Sequence, residues 1–366
     1  MNALPERLRR GLGSRRLPCL DGLRAVAAFL VVFFHFGVPY VSGGLGVLIF
    51  FVLSGFLITW LMLQEDEATH TVNLRAFYMR RVLRIFPAFY CYAALILAYA
   101  LVRGRPVVWP QAGASLLYFN NYYQAIFGDP NTGFSHTWSL AIEEQYYLLW
   151  PPVFLLIRPD RRRVRTFLML AIGAVWIHRA LLVFVFRVHE GYIYEAFDTR
   201  VDHLLIGCLL AVALNSGAWP RLWERVCARP VYAGLTAAVL AVSSAIEAVF
   251  GPAYRDSIGC LINPLLAAIL IAQLIAMHGT AGGRLVDWPA FRYLGRISYS
   301  IYLYQQFLID APKKYFPSAP FVVQLMISAA VIVAAASLSY WLVERPFLSL
   351  KKRFERRTSE SALPAA

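Results

Sequence analysis

The residues with the clearest capacity for chemistry are Arg24 and His35, because both stand where ionisable groups are costly. They lie in residues 20–59, LDGLRAVAAFLVVFFHFGVPYVSGGLGVLIFFVLSGFLIT. This stretch reads as two hydrophobic helices joined by a short Gly-rich turn, with Asp21 also near the start of the first. On a helix the eleven-residue separation of Arg24 and His35 turns through about 1100°, roughly 20° past three full turns, so both side chains share a face. The rise between them is about 16 Å, around half of a hydrocarbon core of roughly 30 Å. A titratable group inside a membrane span usually marks a functional site. An imidazole placed there can take a proton from a hydroxyl near neutral pH, the role of a general base. Arg24, a permanent cation, suits the anionic part of a cosubstrate whose reactive end reaches His35.

Other constellations stand in the same kind of setting. In RAFYMRRVLRIFP (residues 75–87) Arg81 and Arg84 are three apart, on neighbouring turns of one face, and can bracket a phosphate. The competing reading of Arg75, Arg80, Arg81 and Arg84 is a basic anchor at the end of a span. In SHTWSLAIEEQYYLLWPP (residues 135–152) Glu143 and Glu144 sit about ten residues into an apolar stretch, at a depth comparable with His35. One can orient or charge-balance His35 or hold an acceptor hydroxyl; the other can serve packing. His136 reads as polar lining nearer the surface. Ser139 lacks the strand–turn–helix context of an activated nucleophile. In FDTRVDHLLIGCLLA (residues 197–211) Asp198, Arg200, Asp202 and His203 mark the mouth of another span, as a paired rim or as substrate contacts. His178 and Arg179 form a further mid-span pair without an assigned role. Gly43, Gly44 and Gly46 allow close backbone approach, and their amides can face an oxyanion or simply serve a packing turn.

The elements that must position these groups are spanning helices. The chain has 366 residues, 59% hydrophobic and only 15% charged, with a mean hydropathy of +0.55. A soluble protein carries nearer 25% charged residues. The apolar residues come in runs of about twenty, the length that crosses a bilayer. Ten spans are expected, at about 20–40, 44–64, 82–102, 136–157, 166–187, 200–215, 231–250, 258–277, 294–311 and 321–343. The five cysteines are scattered without CxxC spacing, so neither a disulfide framework nor a zinc site is expected. The first apolar run is too long and too charged for a cleaved leader and reads as a retained span.

The net charge is +14, a balance that also suits nucleic-acid binding, but the placement of the basic residues argues otherwise. With the N-terminus cytoplasmic, 26 of the 35 lysines and arginines fall in inside connections and 7 in outside ones. That asymmetry places both termini inside, as an even number of spans requires. The inside arginines also meet anionic lipid headgroups. The longest outside connection, 103–135, holds aromatics and amides suited either to an interfacial belt or to a sugar-like ligand.

In sequence the chain resembles the membrane acyltransferase-3 family, bacterial integral-membrane O-acyltransferases of glycans, lipids and some antibiotics. The resemblance rests on LDGLRAVAAFLVVFFHF, GVLIFFVLSGFLIT, RRVLRIFPAFY, HTWSLAIEEQYYLLWP, DTRVDHLLIGCLLA, LGRISYSIYLYQQFLI and VERPF, in that order. It implies an enzyme that moves an acyl group, commonly acetyl from acetyl-CoA, onto a hydroxyl. It carries over His35 as the catalytic histidine, Arg24 as its basic partner, Arg81 and Arg84 as the donor-binding pair, and Glu143 as a site carboxylate. One departure stands out. The family often has a Trp-His pair after SYSIYL, whereas this chain has Tyr304 and Gln305; Gln cannot titrate, which leaves His35 as the base. The extracytoplasmic domain of some relatives is not expected here.

The reading is therefore an all-α integral membrane protein in the bacterial cytoplasmic (inner) membrane. It consists of a basic cytoplasmic tail (1–19), a ten-helix acyltransferase domain (20–345) and a second basic cytoplasmic tail (346–366). His35 and Glu143 are the expected catalytic residues, and Arg24, Arg81 and Arg84 the expected acyl-CoA ligands. Glu144, Asp198, Arg200 and Asp202 are the expected contacts of a glycan, lipid-linked sugar or small-molecule acceptor. No metal and no nucleic acid are expected. The rival is a proton-coupled transporter or flippase, which would use the same buried charges. Against it stand the lack of an internal repeat and of paired interrupted helices.

Overall fold

Every apolar run folds as helix. The computed structural model describes residues 3–14, 17 and 19–351, and among them there are helices and no strands. The short α1 (Glu6–Leu12) leads into α2 (Leu20–Phe36), α3 (Gly43–Thr69) and α4 (Leu74–Val102). After α5 (Trp109–Leu116) and α6 (Asn120–Phe127) come α7 (Thr137–Ile157) and α8 (Arg161–Ala180). The middle of the chain forms α9 (Glu190–Glu195), α10 (Phe197–Ser216), α11 (Pro220–Val226), α12 (Val231–Phe250), α13 (Pro252–Tyr254) and α14 (Cys260–Ala276). The last part forms α15 (Ala281–Val286), α16 (Pro289–Arg296), α17 (Ser298–Leu308), α18 (Ala311–Tyr315), α19 (Phe321–Ser339) and α20 (Arg345–Lys351). π-Helical segments extend α8 (Leu181–Val185), join α13 to α14 (Arg255–Gly259) and join α19 to α20 (Tyr340–Glu344).

Six continuous helical stretches among the described residues are long and apolar enough to cross a membrane, beginning at Gly43, Leu74, Arg161, Val231, Pro252 and Phe321. Residues 190–216 and 220–226 together pass the same test but bend by 106° at their break. The remaining expected spans are helical yet shorter or more polar. Helix α2 has 17 residues, α17 has 11, and α7 carries Glu143, Glu144 and Gln145 within one turn.

Helix α3 is the centre of the bundle: 78% of its most apolar window is buried, against 17% for α8 and for the stretch ending the described chain. Lipid tails are as apolar as leucine, so helices associate by close packing rather than by hydrophobic exclusion. The α3–α10 crossing achieves this with reciprocal glycines. A Cβ on Gly55 would lie 1.9 Å from the Leu204 carbonyl oxygen, and one on Gly207 would lie 2.1 Å from that of Val52. A second tie runs from α7 to α3, where Trp150 Nε1 donates to Thr59 Oγ1 at 2.9 Å.

Helix α1 is not a free tail: Leu8 and Leu12 are buried, and the helix packs on α14. The expected Gly-rich turn also lies elsewhere. Gly43, Gly44 and Gly46 form the first turn of α3, because Ser42 caps that helix by accepting from Leu45 N at 3.2 Å. Gly46 instead lets α2 approach, its Cβ position being 2.5 Å from the Ala27 carbonyl. Amides of segment 103–135 hydrogen-bond within the segment and to the start of α7. Asn120 Nδ2 donates to Phe134 O and Thr137 Oγ1, and Gln145 Nε2 to Tyr118 O and Asn121 Oδ1. Trp109, Phe119 and Phe127 are exposed, as an interfacial belt requires.

Candidate active site

Four helices, α2, α3, α7 and α17, line both of two adjoining cavities, and α4 joins them at the first. The first, about 250 Å³, is lined by Arg24 of α2, residues from Val47 to Leu61 on α3, Arg81 and Arg84 of α4, Glu143 and Glu144 of α7, and Tyr302 of α17. The second, about 460 Å³, is lined by Val31 and His35 of α2, Ser42 to Val47 of α3, His136 and Trp138 of α7, and Tyr302 and Gln306 of α17. Along each helix the change from one cavity to the other falls at one level. On α3 it is Val47, on α7 it lies between Trp138 and Ser139, and on α17 it is Tyr302. Val47 and Tyr302 line both cavities and form the partition. The Tyr302 hydroxyl is fixed there, 2.5 Å from Ser139 Oγ and donating to the His136 carbonyl at 3.0 Å.

The arginine cavity has the chemistry of an anion site. Arg80 and Arg81 are adjacent but diverge: Arg80 pairs with Glu65 at 3.2 Å, whereas Arg81 turns inward over the Tyr147 ring, 5.1 Å from its centroid. Arg84, one turn on, lines the same space. Arg24 Nε is buried without a hydrogen-bond partner. A buried guanidinium N–H left unpaired is costly, and an anionic ligand would supply the missing acceptor. Glu143 Oε1 accepts from Ser54 Oγ at 2.7 Å, which holds this carboxylate among the arginines. Two carboxylates and three guanidiniums thus share one space. Glu344, at the end of the π-helical segment between α19 and α20, accepts from Ser300 Oγ of α17 at 2.5 Å.

His35 faces the other cavity. Its Nδ1 lies 2.9 Å from the Val31 carbonyl, which can only accept, so Nδ1 carries the hydrogen and Nε2 keeps its lone pair. The ring meets Phe34 edge-on at 5.3 Å. His136 lines the same cavity, is 4% exposed, and has no hydrogen-bond partner at either ring nitrogen.

Arg24 and His35, on one helix, therefore serve two different cavities. Glu143 and Glu144 join Arg24, Arg81 and Arg84 and not His35. The third constellation is engaged elsewhere. Asp198 is bound by His178 Nε2 at 2.8 Å and by the Tyr122 hydroxyl at 3.1 Å. Burial and this neighbouring carboxylate raise the Tyr122 phenol's pKa, keeping it a donor. Asp202 receives Arg179 at 2.8 and 3.2 Å and Trp176 Nε1 at 2.9 Å, fully buried. Arg200 sits behind the second cavity with its guanidinium 4.8 Å from the Tyr194 centroid. Buried Gln305 lines neither cavity; its neighbour Gln306 lines the second.

Sequence reasoning passed over Tyr302, Ser54, Trp138, Tyr194, Glu195 and Glu247. The first three stand inside the recognised motifs but have uncharged side chains that periodicity cannot distinguish from packing residues. The last three come from α9 and α12, whose share in lining the histidine cavity is a matter of tertiary structure. Among the described residues no group of three or more His, Cys, Asp or Glu side chains is arranged to hold a metal ion.

Fold and site together define a helical multi-pass membrane protein with a buried arginine–carboxylate chamber next to a histidine chamber. The acyltransferase-3 model, an acyltransferase domain, matches residues 17–343, and the chain belongs to that family. It is 32% identical to the putative peptidoglycan O-acetyltransferase YrhL of Bacillus subtilis, over 94% of this chain and 57% of that protein. It is 30% identical to the peptidoglycan O-acetyltransferase OatA of Listeria monocytogenes, over 90% of this chain and 55% of the relative. Against the O-acetyltransferase OatA of Staphylococcus aureus the identity is 28%, over 93% and 58%. The chain thus spans little more than half the length of these relatives. No solved structure matches it.

Proposed function

We propose that the chain is a membrane O-acyltransferase that moves an acyl group, acetyl foremost, from cytoplasmic acyl-CoA to a hydroxyl of a glycan, glycolipid or other acceptor. Ten spans carry it across the bacterial cytoplasmic membrane with both termini, 1–19 and 346–366, on the cytoplasmic side. In this topology the arginine cavity is the inner one and the histidine cavity the outer one. The observation that carries the reading is that α2 presents Arg24 to one cavity and His35 to the next, with only Val47 and Tyr302 between.

Arg81, Arg84 and Arg24 hold the anionic part of the donor, and Glu143, anchored by Ser54, balances their charge and fixes their directions. The diphosphate of the donor lies at the arginines of this cavity, its uncharged acyl-bearing arm runs on along the cavity, and the adenosine stays outside. The thioester reaches the partition at Tyr302. On the other side the acceptor hydroxyl lies against His35 Nε2, the nitrogen left basic by the Nδ1–H bond to Val31. As the hydroxyl oxygen attacks the thioester carbonyl carbon, its proton passes to Nε2. The C–S bond then breaks, the proton goes to the departing CoA sulfur, and the imidazole returns to its neutral form. The relatives named as peptidoglycan O-acetyltransferases support a cell-wall glycan as the acceptor.

The test is acetyl-CoA turnover by the full chain in nanodiscs with His35→Ala. Transfer should fall about 10²–10⁴-fold, the usual contribution of a positioned general base, while acetyl-CoA binding persists. Undiminished transfer by a folded His35→Ala protein removes the assignment.

A further inference from the structure

Glu144 is the acid of the arginine cavity to which the proposed reaction gives no task. It lines that cavity beside Glu143, yet the two carboxylates are held differently. Glu143 accepts from Ser54 Oγ at 2.7 Å and lies in the field of Arg24, Arg81 and Arg84 together. Glu144 makes no hydrogen bond and no ion pair among the described residues, and the charges acting on it are those of Arg81 and of Glu143 itself. The other titratable groups that face it are phenols. They are Tyr147 on α7, Tyr90 on α4, Tyr118 in the turn between α5 and α6, and Tyr299 on α17.

With every group ionised, three guanidiniums and two carboxylates leave this cavity with one positive charge. Glu344, bonded to Ser300, acts on Arg84 and Arg24 and offsets it. A diphosphate brings two negative charges into the same space. The filled cavity would then hold excess negative charge in a poorly solvated site, which is costly. A proton taken up by one carboxylate relieves the excess, as it does where two carboxylates share a site. The two acids differ in what they lose by it. Glu143 would give up the attraction of three guanidiniums, whereas Glu144 would give up that of Arg81 and escape the repulsion of Glu143. A neutral Glu144 also gains an O–H that can donate to a phosphate oxygen.

We propose that Glu144 is a donor-binding residue in its protonated form, so that acyl-CoA and one proton occupy the arginine cavity together. The inference rests on the reading of that cavity as the donor site. At a pH where Glu144 of the empty cavity is ionised, binding takes one proton from solvent onto its carboxylate oxygen; at lower pH the proton is already in place. The bound state holds the extra proton, so donor affinity is greatest at low pH. It falls by about tenfold per unit, at most, as pH rises through the value at which the empty cavity loses its proton. The probe is the acetyl thioester of 3′-dephospho-CoA, whose diphosphate stays ionised and which has no titrating phosphomonoester. Its binding to the full chain in nanodiscs is measured by titration calorimetry between about pH 6.5 and pH 9. Two buffers of different ionisation enthalpy count the protons taken up. The wild type should lose at least about fivefold in affinity across the range and take up, at its maximum, about one proton. Glu144→Gln, a fixed mimic of the neutral carboxyl, should change by less than about twofold and take up none. Should it fail to fold, Glu144→Ala is measured in its place. A wild-type affinity independent of pH, or proton uptake that persists in the folded variant, overturns the proposal. Absence of binding by this probe and by acetyl-CoA at every pH removes the donor reading and this inference with it, whereas binding without proton uptake removes this inference alone.

Discussion

The hydroxyls of Ser139 and Tyr302 lie 2.5 Å apart, joining α7 to α17 at the level where the arginine cavity ends and the histidine cavity begins. The same phenol donates to the His136 carbonyl, so its position is fixed twice. A donor thioester in one cavity and a hydroxyl in the other can meet only where this ring stands. In the proposed reaction the ring would set both the approach of the reactants and the exclusion of water from the donor.

Tyr302→Ala merges the two cavities, and acetyl-CoA hydrolysis in the absence of any acceptor should rise. Tyr302→Phe keeps the ring and loses only the two hydrogen bonds, each worth about 1 kcal/mol. It should lower thermal stability slightly with little hydrolysis. A coupled thiol-release assay measures both; equal hydrolysis in the wild type and Tyr302→Ala proteins contradicts a partitioning role.

Arg81→Gln or Arg84→Gln should weaken acetyl-CoA binding by about one to two orders of magnitude, given roughly 1.5–3 kcal/mol for a hydrogen bond to a charged group. Arg80→Gln, whose partner is Glu65, should leave binding near the wild-type value. Titration calorimetry in detergent distinguishes the neighbours. An equal loss from Arg80→Gln would mean that the cluster acts only as a diffuse basic surface.

The Arg179–Asp202 pair offers a stability test free of the donor. Both side chains are buried, at 3% and 0% exposure. Asp202→Asn leaves a buried guanidinium unpaired and should cost about 3–5 kcal/mol, whereas Arg179→Met/Asp202→Leu should recover much of it. Thermal unfolding in detergent reads the difference, and a double variant no better than the single one would refute it.

Gly207→Ala should destabilise the bundle by about 1–3 kcal/mol, because its Cβ would overlap the α3 backbone at Val52. Gly234→Ala on α12, where nothing lies within 4 Å of the added atom, is the control. Comparing melting temperatures of the two purified variants checks the claim directly.

Much of this protein is legible in its sequence. Runs of about twenty apolar residues specify helices, since a lipid-exposed backbone must satisfy its own hydrogen bonds. The eleven-residue step from Arg24 to His35 places both on one face of α2, and the three-residue step from Arg81 to Arg84 does the same on α4. What a helical period does not carry is rotation relative to neighbouring helices. That is decided by the close crossings, such as Gly55 and Gly207 between α3 and α10, which set how each helix is turned. Only tertiary structure therefore separates Arg80 from Arg81, sends Glu143 to the arginines rather than to His35, and ties Asp198 and Asp202 to His178 and Arg179. It alone brings Tyr302 between the cavities and Glu195 and Glu247 to face His35. Depth along the membrane normal follows from counting residues at a fixed rise per residue, whereas convergence of side chains follows from packing, which no single helix contains.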